Sequence, residues 1–414
     1  MTLYIDPGTG SMLFTILLGV IGAGIYSLRM LVIKLKFIIS GGKVAVDKDK
    51  IPFAIYTDDK RYWNIFEPIC KEMNKRGKDV VYMTSSKDDP VFDCGYEHIH
   101  PKFIGADNKA FAHLNFLNAS ILLSTTPGLD VYQWKRSKEV DCYVHIFHAA
   151  SDVTIYRMFG IDYYDSLLIS GDYQEKDIRA LEALRGLPAK EIETIGLPYM
   201  DVMKARLENA APIEKKVPAQ KTVLLAPSWG PSAIFSIYGG KIIEKLLETG
   251  YHIVVRPHPQ SFKSEKEMLD KIMAAYPESE QLEWNRDNDN FEVLRRSDVM
   301  ISDFSGVIFD FALVYDKPVI YTDPNMDLSP YDAWWLEKPL WTASALPRLG
   351  KELTEENMDN IGELVEACLN DPSFAKSRQS VIEETWEHRG EGAVRAVDYL
   401  LRKYEEVVNG KKEK

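Results

Sequence analysis

From residue 52 onward, short runs of β-branched and aromatic residues alternate with longer stretches in which apolar positions recur every three or four residues. The short runs have the length and make-up of strands and the longer ones those of amphipathic helices. Such alternation is the pattern of parallel sheets covered by helices. A first set of strands is expected at 53–57, 80–83, 121–124, 143–147 and 167–170. A second is expected at 222–226, 252–256, 299–302 and 319–321, with helices over 234–248, 265–275 and 306–315. Between the sets, 210–220 carries two prolines, three charges and no apolar face, which reads as a linker. The pattern therefore predicts an α/β chain of two Rossmann-like domains, one over 41–209 and one over 221–392, followed by a terminal helix and a charged tail over 393–414. The tail after Asn409 is expected to fray.

The region before residue 40 has a different pattern. Residues 12–28 read MLFTILLGVIGAGIYSL, seventeen positions without a charge, and the apolar character continues past Arg29. At about 1.5 Å per residue this just reaches across a hydrocarbon core of roughly 30 Å. Only Asp6 is charged before the run, so the basic start of a cleaved signal is missing. Residues 1–40 are thus expected to be an uncleaved membrane anchor, with a helix lying flat in the interface as the alternative. Arg29, Lys34, Lys36, Lys43, Lys48 and Lys50 follow the run, which places the remainder on the cytoplasmic face of the cell membrane.

Length and charge narrow the function classes. A chain of 414 residues exceeds one compact domain, in keeping with two. Its formal net charge of -12 argues against nucleic acid as a partner and requires any anionic substrate to be met by a local nest of donors. Cys70, Cys94, Cys142 and Cys368 are scattered without C-x-x-C spacing, which supports neither a zinc site nor a disulfide framework and suits a reducing compartment.

In doubly wound domains ligands gather where strands end and helices begin. Three such places carry chemistry. At 299–310, VMISDFSGVIFD, an apolar strand ends in Ser302-Asp303-Phe304-Ser305-Gly306 before a helix. Free N–H groups, hydroxyls and a glycine form a candidate cradle for a diphosphate, with a simple helix cap as the other reading. At 252–259, HIVVRPHP, a strand delivers Arg256 and His258 beside a rigid Pro-x-Pro turn. Arginine can grip a phosphate through two N–H groups, and histidine can donate or exchange a proton. At 143–152, YVHIFHAASD, His145 alternates into the sheet while His148 falls at the strand end, a candidate general base or else a packed loop histidine. The H-x-x-H spacing on a strand turns the two rings to opposite sides, so zinc is not expected. Ser228 and Trp229, after the strand at 222–226, are candidate cleft-lining residues. Asp287-Asn288-Asp289 reads as a solvated loop, and 331–335, YDAWW, as core or as a contact with a partner or membrane.

These segments in this order resemble the CDP-glycerol glycerophosphotransferase family of bacterial teichoic acid synthesis, over the stretch between Asp141 and Arg395. Gly196-Leu197-Pro198-Tyr199-Met200-Asp201 is similar to the family's G-x-P-R-x-D, and Ala226-Pro227-Ser228-Trp229 to its A-P-T-W. Arg256-Pro257-His258-Pro259 and Ser302-Asp303-Phe304-Ser305-Gly306 resemble R-x-H-P and T-D-Y-S-S. The resemblance implies a GT-B arrangement of the two domains and a transferase that needs no metal and no cofactor. In it His258 and the turn from Ser302 to Gly306, with Arg256, would hold the donor pyrophosphate, and His148 would take the proton of an acceptor hydroxyl. CDP-glycerol or a related nucleotide donor, a lipid-linked or polymer acceptor and the membrane are the implied partners. The chain departs from the family at His148-Ala149-Ala150-Ser151, where H-G-T-P is usual, at Tyr199, where arginine is usual, and at Gly306. A GT-B glycosyltransferase using a nucleotide sugar, and a catalytically silent membrane scaffold of the same fold, therefore stand as alternatives.

Overall fold

The computed structural model describes residues 50–213, 220–287, 289–303, 305–323, 327–336 and 338–412. The expected anchor at 12–28 lies outside them, as do Phe304, Asn288 and most of the expected linker. Among the described residues no helix is long and apolar enough to cross a membrane.

Seven strands form the first sheet: β1 (Ile51–Thr57), β2 (Val80–Thr84), β3 (Ile99–Phe103), β4 (Ala119–Ser124), β5 (Val140–Ile146), β6 (Ser166–Ile169) and β7 (Glu191–Thr194). Six form the second: β8 (Thr222–Ala226), β9 (His252–Val255), β10 (Leu282–Trp284), β11 (Val299–Ser302), β12 (Val319–Tyr321) and β13 (Gly350–Glu352). The spatial orders are β3-β2-β1-β4-β5-β6-β7 and β10-β9-β8-β11-β12-β13. All neighbours run parallel. Central strands such as β4 and β8 are buried at every residue, as sheets covered on both faces require.

The helices break where the backbone demands it. The stretch expected as one helix over 234–248 divides into Ile234–Tyr238 and Lys241–Leu247, because Gly239 adopts a φ of +56° and turns the chain. The helix expected over 306–315 is one α-helical turn, Val307–Phe309, that widens into a π-helical stretch, Asp310–Val314.

One apolar cluster is continuous through both halves. It runs from Phe66 and Ile121 through Tyr199 and Met200 to Phe309 and Phe311, and Val397 and Leu400 of the last helix join it. That helix, Gly392–Lys412, belongs spatially to the first half: Tyr404 packs on Phe53 at 4.9 Å and Arg402 pairs with Glu193 at 2.7 Å. It stays helical through Lys412, beyond the point where fraying was expected.

The return of the chain is pinned at Asp201, whose carboxylate accepts from Trp386 Nε1 (2.9 Å) and from the N–H groups of Gly390 (2.7 Å) and Gly392 (3.0 Å). Gly196 sits so close to this crossing that a Cβ there would lie 2.1 Å from the Glu387 carbonyl oxygen. The Gly196–Asp201 segment thus has a structural account: it is where the two halves are stitched together. The stretch at 331–335 is divided, with Asp332 and Ala333 buried and Trp334 63% exposed.

Candidate functional site

The strand order of each sheet reverses once, between β1 and β4 in the first and between β8 and β11 in the second. At such a reversal neighbouring loops leave in opposite directions and open a crevice at the carboxyl ends of the strands. The loops concerned are 58–62 after β1, 125–128 after β4, 227–233 after β8 and 303–306 after β11.

The loop after β5 enters the first crevice and is held at nearly every residue. His148 Nδ1 lies 3.3 Å from Thr125 Oγ1 and 3.2 Å from Tyr156 Oη, and the Tyr62 ring packs on the imidazole at 5.0 Å between centroids. Ala149 faces the second half, at 3.7 Å from where a Cβ on Gly306 would stand. The Ser151 carbonyl accepts from Tyr173 Oη and Gln174 Nε2, both at 3.2 Å. Asp152 accepts from the N–H groups of Trp341 and Thr342, which belong to the second half. A loop tied down on both sides fixes its histidine without the glycine and proline usual in the family.

Burial, and after it the nearby charge of Arg61, lowers the His148 pKa to about 4, so the imidazole is neutral at pH 7. In the tautomer whose Nδ1–H is donated to the Thr125 or Tyr156 hydroxyl oxygen, Nε2 carries the lone pair. That nitrogen has no protein partner among the described residues, which is the requirement for a general base.

His145 takes the opposite face, as alternation demands. It is fully buried among Phe147, Tyr156 and Tyr164, and neither ring nitrogen has a partner among the described residues. Burial holds its pKa down at about 3. Its neutral folded form therefore resists protonation while the unfolded form titrates near 6.5, so its contribution to stability is complete above 6.5 and is lost as pH falls toward 3. His145→Phe is expected to raise the melting temperature at pH 7.5, because two unpaired polar atoms leave the core. At pH 5 the advantage should grow by about 2 kcal/mol. Calorimetry at both pH values checks this, and an equal acid loss in variant and parent would show that His145 is not held neutral.

In the second half, the Gln260 N–H donates to His258 Nδ1 at 3.1 Å. Nδ1 is therefore the acceptor, and the remaining proton sits on Nε2, making that edge a donor. Burial and then the Arg61 charge lower the His258 pKa, which keeps this neutral form at pH 7. Arg256 donates to Asn285 Oδ1, and burial lowers its pKa from the usual arginine value while Asp287 and Asp289 oppose the shift. Asp289 itself pairs with Arg206 at 2.6 Å. No group of three or more metal-ligating side chains occurs among the described residues.

Two of the expected phosphate ligands, Ser302 and Asp303, have buried side chains with partners inside the protein. Ser302 is 0% exposed and donates its hydroxyl to the Ala226 carbonyl at 2.6 Å, which ties β11 to β8. Asp303 is also 0% exposed, and its carboxylate accepts from the N–H groups of Ser228 (3.0 Å to each oxygen) and Ile234 (3.0 Å). Both side chains are buried, and their hydrogen bonds shape the turn. Ser305 and Gly306 remain at the crevice, partly buried and exposed respectively, at the opening of the helical stretch 307–314, where the Ile308 and Phe309 N–H groups donate to the Ser305 and Gly306 carbonyls and those of Gly306 and Val307 precede the first such bond. Ser228 is buried, with its N–H given to Asp303, whereas Trp229 is 44% exposed on the rim.

The sequence reading missed the loop after β1. Asp58 accepts from Thr126 Oγ1 at 2.9 Å, and burial raises its pKa. Arg61 pairs with Asp59 at 3.0 Å while its side chain stays 60% exposed. Its charge adds to burial in lowering the pKa of both His148 and His258. The signal was a charged, polar segment directly after β1, one of the two strands at the reversal.

Similarity to known proteins follows the same lines. The family model described as CDP-Glycerol:Poly(glycerophosphate) glycerophosphotransferase matches residues 39–333. A teichoic acid glycerol-phosphate primase of Bacillus spizizenii (strain W23) is 30% identical over 141 residues, 32% of this chain and 34% of the relative, so the match spans about a third of that protein. Among solved structures, a variant of the wall teichoic acid polymerase TagF soaked with CDPG aligns with a TM-score of 0.57 at 15% identity, covering 93% of this chain and 99% of that one. A UDP-GlcNAc 2-epimerase from Neisseria meningitidis bound to UDP-GlcNAc aligns with a TM-score of 0.53 at 13% identity, over 85% of this chain and 100% of that one. At such identities the structures establish the shared fold of two parallel-sheet α/β domains. The family match covers well over half of the sequence, and the chain belongs to the CDP-glycerol:poly(glycerophosphate) glycerophosphotransferase family.

Proposed function

We propose that this protein transfers glycerol phosphate, or a related polyol phosphate, from a CDP-activated donor to a hydroxyl of a lipid-linked or polymeric cell-envelope acceptor. The observation that carries the reading is the position of Ala149, beside His148, whose Cβ lies 3.7 Å from where a Cβ on Gly306 would stand, so that the residue next to a neutral imidazole borders the turn that opens the helical stretch. The acceptor oxygen attacks the β-phosphorus of the donor while its proton passes to His148 Nε2. The bond from that phosphorus to the bridging oxygen breaks, and CMP leaves with the electron pair. His258 Nε2–H, Arg256 and the N–H groups around Gly306 stabilise the charge that develops on the phosphoryl oxygens. Asp152 and Tyr199 keep the halves in register: Tyr199 Oη donates to Asp310 Oδ1 at 2.9 Å, and the Ala150 backbone approaches the same hydroxyl.

The apolar run at 12–28 and the basic residues after it support attachment to the cytoplasmic face of the cell membrane. Fractionation of cells expressing the full chain tests this, and recovery of the protein without membranes would overturn it. The activity itself is tested by incubating the full chain with CDP-glycerol and a panel of glycerol phosphate and lipid-linked acceptors. CMP release that depends on acceptor is the expected result. Thermal stabilisation by a UDP or GDP sugar but not by CDP-glycerol, with no CMP released, would favour a nucleotide-sugar enzyme instead.

A further inference from the structure

We propose that Tyr156 is a positioning residue for the base: its hydroxyl, together with that of Thr125, takes the Nδ1–H of His148 and so keeps the lone pair on Nε2. This rests on the transferase reading and names the residues that set the tautomer it needs. A neutral imidazole carries its proton on one of two nitrogens, and the base is the form in which Nε2 is bare. The partner of Nδ1 therefore decides whether the ring can accept a proton from a hydroxyl. In the second half the backbone settles the matter, since the Gln260 N–H donates to His258 Nδ1 and leaves the proton on Nε2. His148 needs the converse form. Its Nδ1 meets two hydroxyls, Tyr156 Oη at 3.2 Å and Thr125 Oγ1 at 3.3 Å, and a hydroxyl oxygen accepts where a backbone N–H does not.

Tyr156 is held firmly enough for this task. Its ring stacks on Phe147, with 5.9 Å between centroids and 14° between planes, and meets His145 edge-on at 5.6 Å. Its carbonyl accepts from the Asp332 N–H of the second half at 2.9 Å. Burial pushes the pKa of its hydroxyl up, so the group keeps its proton and presents a neutral oxygen. That hydroxyl also reaches Thr125, so a chain runs from His148 Nδ1–H to Tyr156 Oη and on to Thr125 Oγ1. The Asp58 carboxylate on the neighbouring loop is engaged by Thr126 Oγ1 at 2.9 Å, and among the described residues the hydrogen-bond partners of Nδ1 are hydroxyls. A carboxylate on Nδ1 would raise the imidazole pKa, whereas neutral hydroxyls orient the ring and leave it uncharged, in keeping with its lowered value of about 4.

The test compares the full-length wild type with Tyr156→Phe, Thr125→Val and the double variant. Each is measured by CMP release from CDP-glycerol with a glycerol phosphate acceptor, and by nitrogen NMR of histidine-labelled protein at pH 7, with His148 assigned from the signals lost in His148→Gln. Each single variant should lower kcat by roughly threefold, because the other hydroxyl still accepts the Nδ1–H. The double variant should lose roughly 50-fold, more than the product of the singles, with the KM for CDP-glycerol unchanged. Tyr156→Phe combined with Thr125→Ser keeps one hydroxyl and should match Tyr156→Phe alone. Phenylalanine preserves the stack on Phe147 and valine the shape of threonine, so a melting temperature near that of wild type separates lost orientation from lost folding. The proton of His148 should sit on Nδ1 in wild type and move to Nε2 in the double variant. A proton on Nε2 in wild type, or a double variant with wild-type kcat, would overturn the positioning role, while CMP release by the wild type would leave the transferase standing. The same tautomer change without CMP release from any form would uphold the positioning role and overturn the transferase.

Discussion

His148→Ala is expected to lower CMP release by roughly 100- to 10,000-fold while leaving the KM for CDP-glycerol within about threefold of wild type. In the proposed transfer the imidazole meets the attacking hydroxyl, on the opposite side of the phosphoryl group from the nucleotide, so its loss would remove an interaction made in the transition state and not in donor binding. The pH dependence gives the sign independently. With its pKa near 4, His148 is unprotonated across the neutral range and becomes unable to accept a proton only as pH falls through about 4. The wild-type rate should therefore be flat from pH 8 to about 5 and decline below that, and the residual rate of His148→Ala should lack this limb. His148→Gln separates packing from chemistry, because it keeps a polar group between Thr125, Tyr156 and Tyr62. If either variant retains near-wild-type turnover, the base lies elsewhere. If both variants support the cellular role despite losing turnover, the protein acts as a scaffold.

What the sequence showed depended on where each residue lies in its sheet. The central strands were legible because burial on both faces writes a continuous apolar run, as at β4, β8 and β11. The four strands not anticipated, β3, β7, β10 and β13, are the edges of the two sheets. Two of them bury little and carry polar or ladder-breaking residues: β3 reads IHPKF with one buried position, and β7 reads EIET with none fully buried, while β10 and β13 are only three residues each.

The site was legible in the same uneven way. His148 and His258 stood out because histidines at strand ends are chemically distinctive, and Ser305 and Gly306 because a turn into a helix is. Ser302 and Asp303 looked alike in sequence, yet their side chains face inward, since a strand alternates its faces and the turn after it needs an internal acceptor. Arg61 escaped notice because its loop has no motif. Only the sheet order, which places β1 beside β4, brings it to the crevice.

The inward direction of Asp303 makes it a residue whose loss should strongly damage the second half. Asp303→Ala removes the acceptor for the Ser228 and Ile234 N–H groups in a fully buried position, where no solvent can replace it. Hydrogen bonds to a charged acceptor contribute about 1.5–3 kcal/mol each, and an orphaned buried donor adds its own desolvation cost. A loss of about 3–5 kcal/mol is expected, enough to lower the melting temperature by roughly 10 °C. The loop between these two N–H groups carries Trp229 and Gly230, so its release should also raise the KM for CDP-glycerol. Asp303→Asn keeps one carbonyl oxygen for the two donors and should fall between wild type and alanine in both measurements, which guards against a variant that fails to fold. The alternative, an aspartate touching the donor directly, has a different signature: a raised KM with an unchanged melting temperature. A carboxylate in that position would repel a diphosphate, whereas one sealed under the turn draws the backbone N–H groups of Ser228 and Ile234 inward. In the proposed transfer the N–H groups of Gly306 and Val307 are then left to meet the anion, and that division of labour predicts that stability and donor affinity fall together in Asp303→Ala.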